Sequence, residues 1–403
     1  MSDKQGEGPG PATRLVKGGR RPEWTGAVVN PPVWRASTHL YTSEAERKAA
    51  LAKDQDGQFY YGRRGAPTQW ALAEALTEIE PGAHGTMLYP SGVAAIAGAL
   101  LAVLRPGDEL LVSDNSYEPT RNLARGLLAR MGITHRFFDP LDLDAYRDLF
   151  RDQTKAVWLE SPGSLTMEVC DVPALAAIAR DKVAVSLIDN TWATPLGFTA
   201  LAHGCDISVM SLSKHVGGHS DLMMGSASAG EHWYRRLRQT SHQLGQVVSP
   251  DDAALALRGL RTMGVRLERS TQSAIRIAKW LTGRPEVAQV LCPMLPGDPG
   301  HALWKRDFSG GCGLFSFVLT GEDPAASARF VDNLDLFGIG YSWGGFESLA
   351  LPFDPSGIRD TMPWPPAGAE GAATMGVRLS IGLEDPDDLI ADLEQGFAAM
   401  GAS

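Results

Sequence analysis

The order of apolar and polar positions changes character at about residue 65 and again at about residue 261. Between these points, short apolar runs alternate with segments of helical period. Residues 68–79 place Leu72, Ala75, Leu76 and Ile79 on one helical face, and Pro81-Gly82 ends the pattern. Short apolar-rich runs at 86–89, 109–112, 156–159, 183–188 and 207–210 read as strands, and so does the segment 133–138. Helical segments at 93–104, 119–131, 143–150, 173–180 and 200–203 separate them. Fully apolar strands alternating with helices predict an α/β domain with a mainly parallel central sheet covered on both faces.

Beyond 261 the texture is that of a smaller α+β domain. Its expected elements are a long helix over 265–281, a glycine-broken strand over 313–319 and a helix over 325–334. A strand over 376–381 and an amphipathic helix over 386–400, with Asp385 as N-cap, complete it. Residues 1–64 read as an irregular arm, disordered over 1–12. An arm that cannot bury itself is expected to embrace another subunit. The expected organisation is therefore an arm (1–64), a domain over 65–261 and a C-terminal domain over 262–403.

Composition narrows the class. The 403 residues are 44% hydrophobic and 21% charged, an ordinary globular balance. The net charge of −10 and the lack of a basic stretch exclude nucleic acid as an expected partner. No apolar run is long enough to span a bilayer, and the polar, Gly/Pro-rich start lacks the apolar core of a signal peptide. Cys170, Cys205, Cys292 and Cys312 lie far apart, as expected of reduced thiols in the cytosol.

Ligands of such sheets gather at the carboxyl ends of the strands. Those ends carry Tyr89-Pro90-Ser91-Gly92, Asn115-Ser116-Tyr117, Glu160-Ser161-Pro162, Asp189-Asn190-Thr191 and Ser211-Leu212-Ser213-Lys214. Lys214, at the end of a buried strand, has the setting in which an amine is desolvated and becomes nucleophilic. Taken alone, the same lysine reads as an ordinary surface residue. If Lys214 links pyridoxal 5′-phosphate, the pyridine nitrogen needs a carboxylate, and Asp189 fits; an Asx turn closing the strand explains Asp189 equally well. The phosphate needs hydroxyls and free N–H groups, which Ser91, Gly92, Val93, Ser211 and Ser213 can supply. Tyr117 is placed to stack on a ring, or is simply a half-buried tyrosine. Arg378, on a half-buried strand, is suited to a substrate carboxylate. Tyr61 and Arg63, in Gln58-Phe59-Tyr60-Tyr61-Gly62-Arg63-Arg64-Gly65, make a candidate anion site. His215 and His219 are four apart, but the intervening glycines argue against a helix and no third ligand stands by, so no metal is expected.

Several ordered motifs resemble one family. They are Tyr60-Tyr61-Gly62-Arg63-Arg64-Gly65, Asn115-Ser116-Tyr117-Glu118-Pro119, Glu160 to Val169, Ile188-Asp189-Asn190-Thr191-Trp192-Ala193, Gly218-His219-Ser220-Asp221, Tyr341 to Leu349 and Ile381-Gly382-Leu383-Glu384-Asp385. From about Tyr41 to Met400 the sequence is similar to the Cys/Met-metabolism family of PLP-dependent enzymes, of fold type I (PLP-dependent transferase-like). The resemblance implies that Lys214 carries the cofactor and moves protons, that Asp189 pairs with the pyridine nitrogen, and that Tyr117 stacks on the ring. It implies that Ser91, Gly92, Val93, Ser211 and Ser213 hold the phosphate, with Tyr61 and Arg63 reaching a neighbouring subunit's site. Lys214, Tyr117 and Tyr61 are then expected at the reacting atoms, and Arg378, Ser342 and Trp343 at the substrate carboxylate. His215 departs from the family pattern, where tyrosine commonly follows the lysine, and Ser213 replaces the usual threonine.

Pro162-Gly163-Ser164 and the bulky Trp343 resemble the bacterial β-lyase branch more than its γ-acting relatives. The resemblance therefore implies β-elimination on cystathionine, giving homocysteine, pyruvate and ammonia, in a dimer-built homotetramer. A cysteine-S-conjugate lyase, a γ-acting relative (cystathionine or methionine γ-lyase, cystathionine γ-synthase) and a catalytically silent binding module are the alternatives.

Overall fold

The computed structural model describes residues 9–53, 55–321, 323–365 and 372–400. Its strands are β1 (Gly85–Tyr89), β2 (Glu109–Ser113), β3 (Thr134–Phe138), β4 (Thr154–Glu160), β5 (Val185–Asp189), β6 (Ile207–Ser211) and β7 (Gly225–Ala229). A second set follows: β8 (Val287–Leu291), β9 (Leu314–Thr320), β10 (Gly338–Ile339), β11 (Leu349–Phe353) and β12 (Ala372–Ser380). The helices begin with α1 (Pro11–Lys17), α2 (Pro22–Thr25), α3 (Glu44–Lys53), α4 (Pro67–Ile79), α5 (Gly92–Val103), α6 (Glu118–Leu123) and α7 (Leu143–Asp148). They continue with α8 (Val172–Asp181), α9 (Thr194–Gly197), α10 (Glu231–Leu244), α11 (Pro250–Leu281), α12 (His301–Asp307), α13 (Ala326–Asp332) and α14 (Pro386–Met400).

Two compact units result. The first comprises residues 1–102, 199–202 and 206–264; the second comprises 103–198, 203–205 and 265–403. In the first, β7 lies between β1 and β6 and is antiparallel to both. Leu72, Ala75, Leu76 and Ile79 of α4 are buried, as their spacing predicts. Each such leucine contributes about 1.5–3 kcal/mol by leaving water.

In the second unit β5, β4, β2 and β3 pair in that order, all parallel. Leu110, Leu111, Val112, Val157, Trp158, Leu187 and Ile188 are fully buried, which is why these strands read as continuous apolar runs. The unit's other sheet runs β10-β11-β12-β9-β8. There Phe317, Phe330 and Phe397 pack against one another beside α13 and α14. The Asp385 carboxylate accepts from the Asp387 N–H at 3.0 Å and caps α14 as expected.

Several expectations need correction. Residues 1–64 are not uniformly irregular: α1, α2 and α3 form there, and proline opens α1 and α2 with φ already set for a helix. Pro11 and Ala12 are helical, whereas residues 1–8 of the segment read as disordered lie outside the described residues. The helix expected over 200–203 is a turn, too short to nucleate and followed by Gly204 at φ +99°. Val183 stands outside β5, exposed and at φ +59°. β7 has no strand signature of its own; Gly225-Ser-Ala-Ser-Ala is extended because β1 and β6 pair with both its edges. The long helix begins at Pro250, not at 265. Among the described residues no helix is long and apolar enough to cross a membrane, and all four cysteines are buried and outside any disulfide.

Candidate active site

The first unit holds a candidate anion cradle. Ser91 precedes α5; its Oγ accepts from the Ala94 N–H at 3.1 Å and its carbonyl from Ala95 at 3.0 Å. The N–H groups of Gly92 and Val93 fall in the first turn, where helix geometry gives them no partner and the dipole favours an anion. Ser211, the last residue of β6, packs directly against Gly92. A Cβ at position 92 would stand 2.9 Å from both Cβ and Oγ of Ser211, so only glycine lets the hydroxyl approach the helix start. Backbone donors, two serine hydroxyls and a position closed to any larger side chain suit a phosphate.

The turn after β6 carries the lysine. Lys214 is half-buried, donates its N–H to the Ser211 carbonyl at 3.3 Å and accepts from Gly218 at 2.7 Å. Gly218 needs its freedom, since it sits at φ +68°. α11 presses on the same turn: a Cβ on Gly259 would lie 2.2 Å from the Val216 carbonyl oxygen. The Ser213 hydroxyl donates to the Met224 carbonyl at 3.2 Å and accepts from the Met224 N–H at 2.9 Å, tying the turn to the approach of β7. His215 is buried and His219 exposed.

On the arm, Tyr61 is exposed, and Arg63 Nη1 donates to the His242 carbonyl at 2.6 Å. Burial, with Arg238 and Arg64 nearby, pushes the His242 imidazole down to about 4. Arg63, Arg64 and His242 wall a cavity of about 510 Å3 with Trp24, Trp70 and Tyr234, and Tyr61 does not line it. Ser91, Gly92, Ser211 and Lys214 do not line it.

The second unit brings together Tyr117, Asp189 and Arg378, with Glu160 among them. Tyr117 is the N-cap residue of α6, and its N–H donates to Glu160 Oε2 at 2.7 Å. Partial burial raises the Tyr117 phenol, the carboxyls of Asp189 and Glu160 raise it further, and Arg378 opposes them. Asp189 ends β5, and its Oδ1 accepts from the Thr191 N–H at 3.0 Å and the Thr191 hydroxyl at 2.5 Å. The Asx turn is therefore real, and it occupies one of the two carboxylate oxygens.

Arg378 is 9% exposed on β12. Its Nη2 donates to the Ser342 carbonyl at 3.2 Å, and no carboxylate of the described residues pairs with it. Burial lowers its guanidinium to about 10, still charged at neutral pH. Ser342 holds its carbonyl there from φ +88°, a strained conformation for a residue with a Cβ. Trp343 beside it is half-buried. A buried cation with one neutral acceptor can take a carboxylate ligand.

Two groups escaped the sequence reading. One is the role of the Glu160 side chain, which the sequence places at a strand end without a task. The other is a clasp: the buried Asp114 carboxylate accepts from the N–H groups of Asp360, Thr361 and Met362 at 2.8–3.1 Å. Arg121, also buried, pairs with Asp114 at 2.7 Å and with Asp360. Nothing in the sequence signals this clasp, because its halves lie some 240 positions apart.

A model of the Cys/Met metabolism PLP-dependent enzymes matches residues 12–398. The chain is 44% identical to the cystathionine beta-lyase MetC of Escherichia coli, over 96% of this chain and 98% of that protein. It is 34% identical to human cystathionine gamma-lyase, over 96% and 93%. The crystal structure of metB from Corynebacterium glutamicum superposes with a TM-score of 0.86 at 29% identity, covering 97% and 98% of the two chains. The fold is that of the type I PLP-dependent enzymes, with a mixed rather than purely parallel sheet. The chain belongs to the Cys/Met-metabolism family of PLP-dependent enzymes.

Proposed function

We propose that this enzyme cleaves the Cβ–S bond of cystathionine, giving homocysteine, pyruvate and ammonia with the uptake of one water. The observation that carries the reading is Arg378, a buried guanidinium with no carboxylate partner among the described residues, grouped with Tyr117 and Asp189. Bound pyridoxal phosphate supplies an electron sink for the charge left when the α-proton departs. Ser91, Gly92, Val93 and Ser211 would hold its phosphate; Ser213 would join them by exchanging its bond to Met224. Tyr61 and Arg63 would serve the phosphate of a neighbouring subunit. Asp189 would keep the pyridine nitrogen protonated, and Tyr117 would cover the ring.

Arg378 binds the substrate α-carboxylate, with Ser342 fixing the guanidinium and Trp343 at its side. Lys214 holds the cofactor and, once its amine is free, takes the α-proton at Nζ and returns a proton to the leaving sulfur. The remaining three-carbon enamine hydrolyses to pyruvate and ammonia. The choice of β- over γ-cleavage follows the more similar relative and the loop after β4. A Cβ on Gly163 would lie 2.6–2.7 Å from Asn115 and Glu168 atoms, so the Pro162-Gly163-Ser164 turn admits nothing larger.

The arm (1–64), cofactor domain (65–261) and C-terminal domain (262–403) belong to the same reading, as do a homotetramer built from dimers and a cytoplasmic location. Supplying cystathionine to the enzyme and following thiol and keto acid together tests it. The two are expected in equal amounts, and in neither case from K214A, which also lacks the visible band of lysine-bound cofactor. Thiol release without keto acid, or a K214A variant that keeps colour and rate, would contradict it.

A further inference from the structure

Glu160 has no assigned task, yet it stands beside both Tyr117 and Asp189 in the second unit. It is the last residue of β4 and is the direct register partner of Asp189 at the end of β5. Parallel neighbours in register lie about 4.8 Å apart and present their side chains to the same face. Two carboxyl groups so placed do not both ionise freely, and the pair holds a proton.

The surroundings decide which one. Asp189 accepts two hydrogen bonds from Thr191, both of which favour a carboxylate. Glu160 Oε2 accepts one, from the Tyr117 N–H at 2.7 Å, which a neutral carboxyl oxygen accepts equally well. The groups facing Glu160 are Asp189 from β5, Tyr117 from α6, Glu168 from the loop after β4, and Arg359. Arg359 is itself engaged by Glu168 at 3.1 Å and by Thr166, so its charge is shared. The Cys170 thiol, 3.6 Å from the Glu160 carbonyl, is pushed by burial up to about 12 and stays neutral. Burial first, and Asp189 second, push the Glu160 carboxyl well above the ordinary range.

We propose that Glu160 is a positioning residue, which as an uncharged acid anchors the backbone of Tyr117 and leaves Asp189 the single carboxylate at the paired strand ends. The hydrogen bond sets where α6 starts and hence where the Tyr117 ring lies. The uncharged state keeps a second negative charge away from the group that Asp189 serves. The inference rests on the reading that Tyr117 and Asp189 flank the cofactor ring.

Infrared difference spectra of wild type against E160Q, with cofactor affinity measured on the cofactor-stripped full-length enzyme, test it. The glutamine keeps the shape, the acceptor for Tyr117 and the neutrality. A carboxylic-acid C=O band present in wild type and missing from E160Q at neutral pH is expected. E160Q should bind pyridoxal phosphate within about twofold of wild type, while E160A loses about tenfold, the worth of one backbone hydrogen bond. A missing acid band, or an E160Q as impaired as E160A, would overturn the proposal. D189N separates the two ideas: if cofactor affinity ignores D189N and both Glu160 variants, the cofactor reading fails, while the infrared band still reports the proton on Glu160.

Discussion

The Arg378 guanidinium donates to the Ser342 carbonyl at 3.2 Å, and Ser342 presents that carbonyl from a left-handed backbone at φ +88°. The cation is thus held in place without being neutralised. Lysine cannot reproduce a planar fork at this site. R378K is expected to lower kcat/KM for the amino-acid substrate by about two to three orders of magnitude, mainly through KM, since a desolvated charge pair is lost. Steady-state kinetics check it, and an unchanged KM would remove Arg378 from substrate binding.

Asp189 closes an Asx turn, and the same carboxylate is assigned to the pyridine nitrogen. Asparagine keeps the turn, because its side-chain oxygen accepts from the Thr191 N–H as aspartate does. D189N is therefore expected to melt within a few degrees of wild type while losing about two orders of magnitude in turnover. Melting curves beside initial rates separate the two roles; loss of stability with normal turnover per folded molecule would leave only the turn.

Gly92 is tested by alanine. Helix propensity favours the change by roughly 0.5–1 kcal/mol, but the new Cβ would stand 2.9 Å from Ser211. G92A is expected to keep its stability within about 1 kcal/mol and to bind pyridoxal phosphate about tenfold more weakly, since one cradle contact is displaced. Equilibrium binding to the cofactor-stripped enzyme measures this.

The Asp114 clasp makes a prediction about acid. Burial alone would push the Asp114 carboxyl up, but the Met362, Thr361 and Asp360 N–H groups and Arg121 outweigh it and hold it below the ordinary range. A depressed folded value means that the stabilisation is complete above the unfolded value of about 4 and is lost as pH falls through the folded value. D114A removes it at neutral pH and leaves the buried Arg121 with Asp360 as its remaining carboxylate, at about 3 kcal/mol. Denaturation at pH 7 and below pH 4 checks both: the gap between wild type and D114A should narrow in acid.

Much of this was legible in the sequence because local signals and burial agree. The buried stretches 110–112 of β2 and 156–159 of β4 are apolar, and α14 carries its own cap at Asp385. The polar strand ends single out Lys214, Asp189 and Tyr117 as candidates. β7 was not legible, because its Gly-Ser-Ala composition is extended only by pairing with β1 and β6. Nor was the role of Glu160, which depends on the register between β4 and β5, or the clasp, which joins Asp114 to residues 360–362. Such contacts are made by tertiary structure and leave no periodic trace.

The identity of the keto acid formed from cystathionine tests the central claim most directly. Cleavage at Cβ yields pyruvate with homocysteine, and cleavage at Cγ yields 2-oxobutyrate with cysteine. Chromatographic identification after complete turnover is expected to find pyruvate as the dominant keto acid, matched mole for mole by homocysteine. Predominant 2-oxobutyrate, or no keto acid from the cofactor-loaded enzyme, would contradict the account.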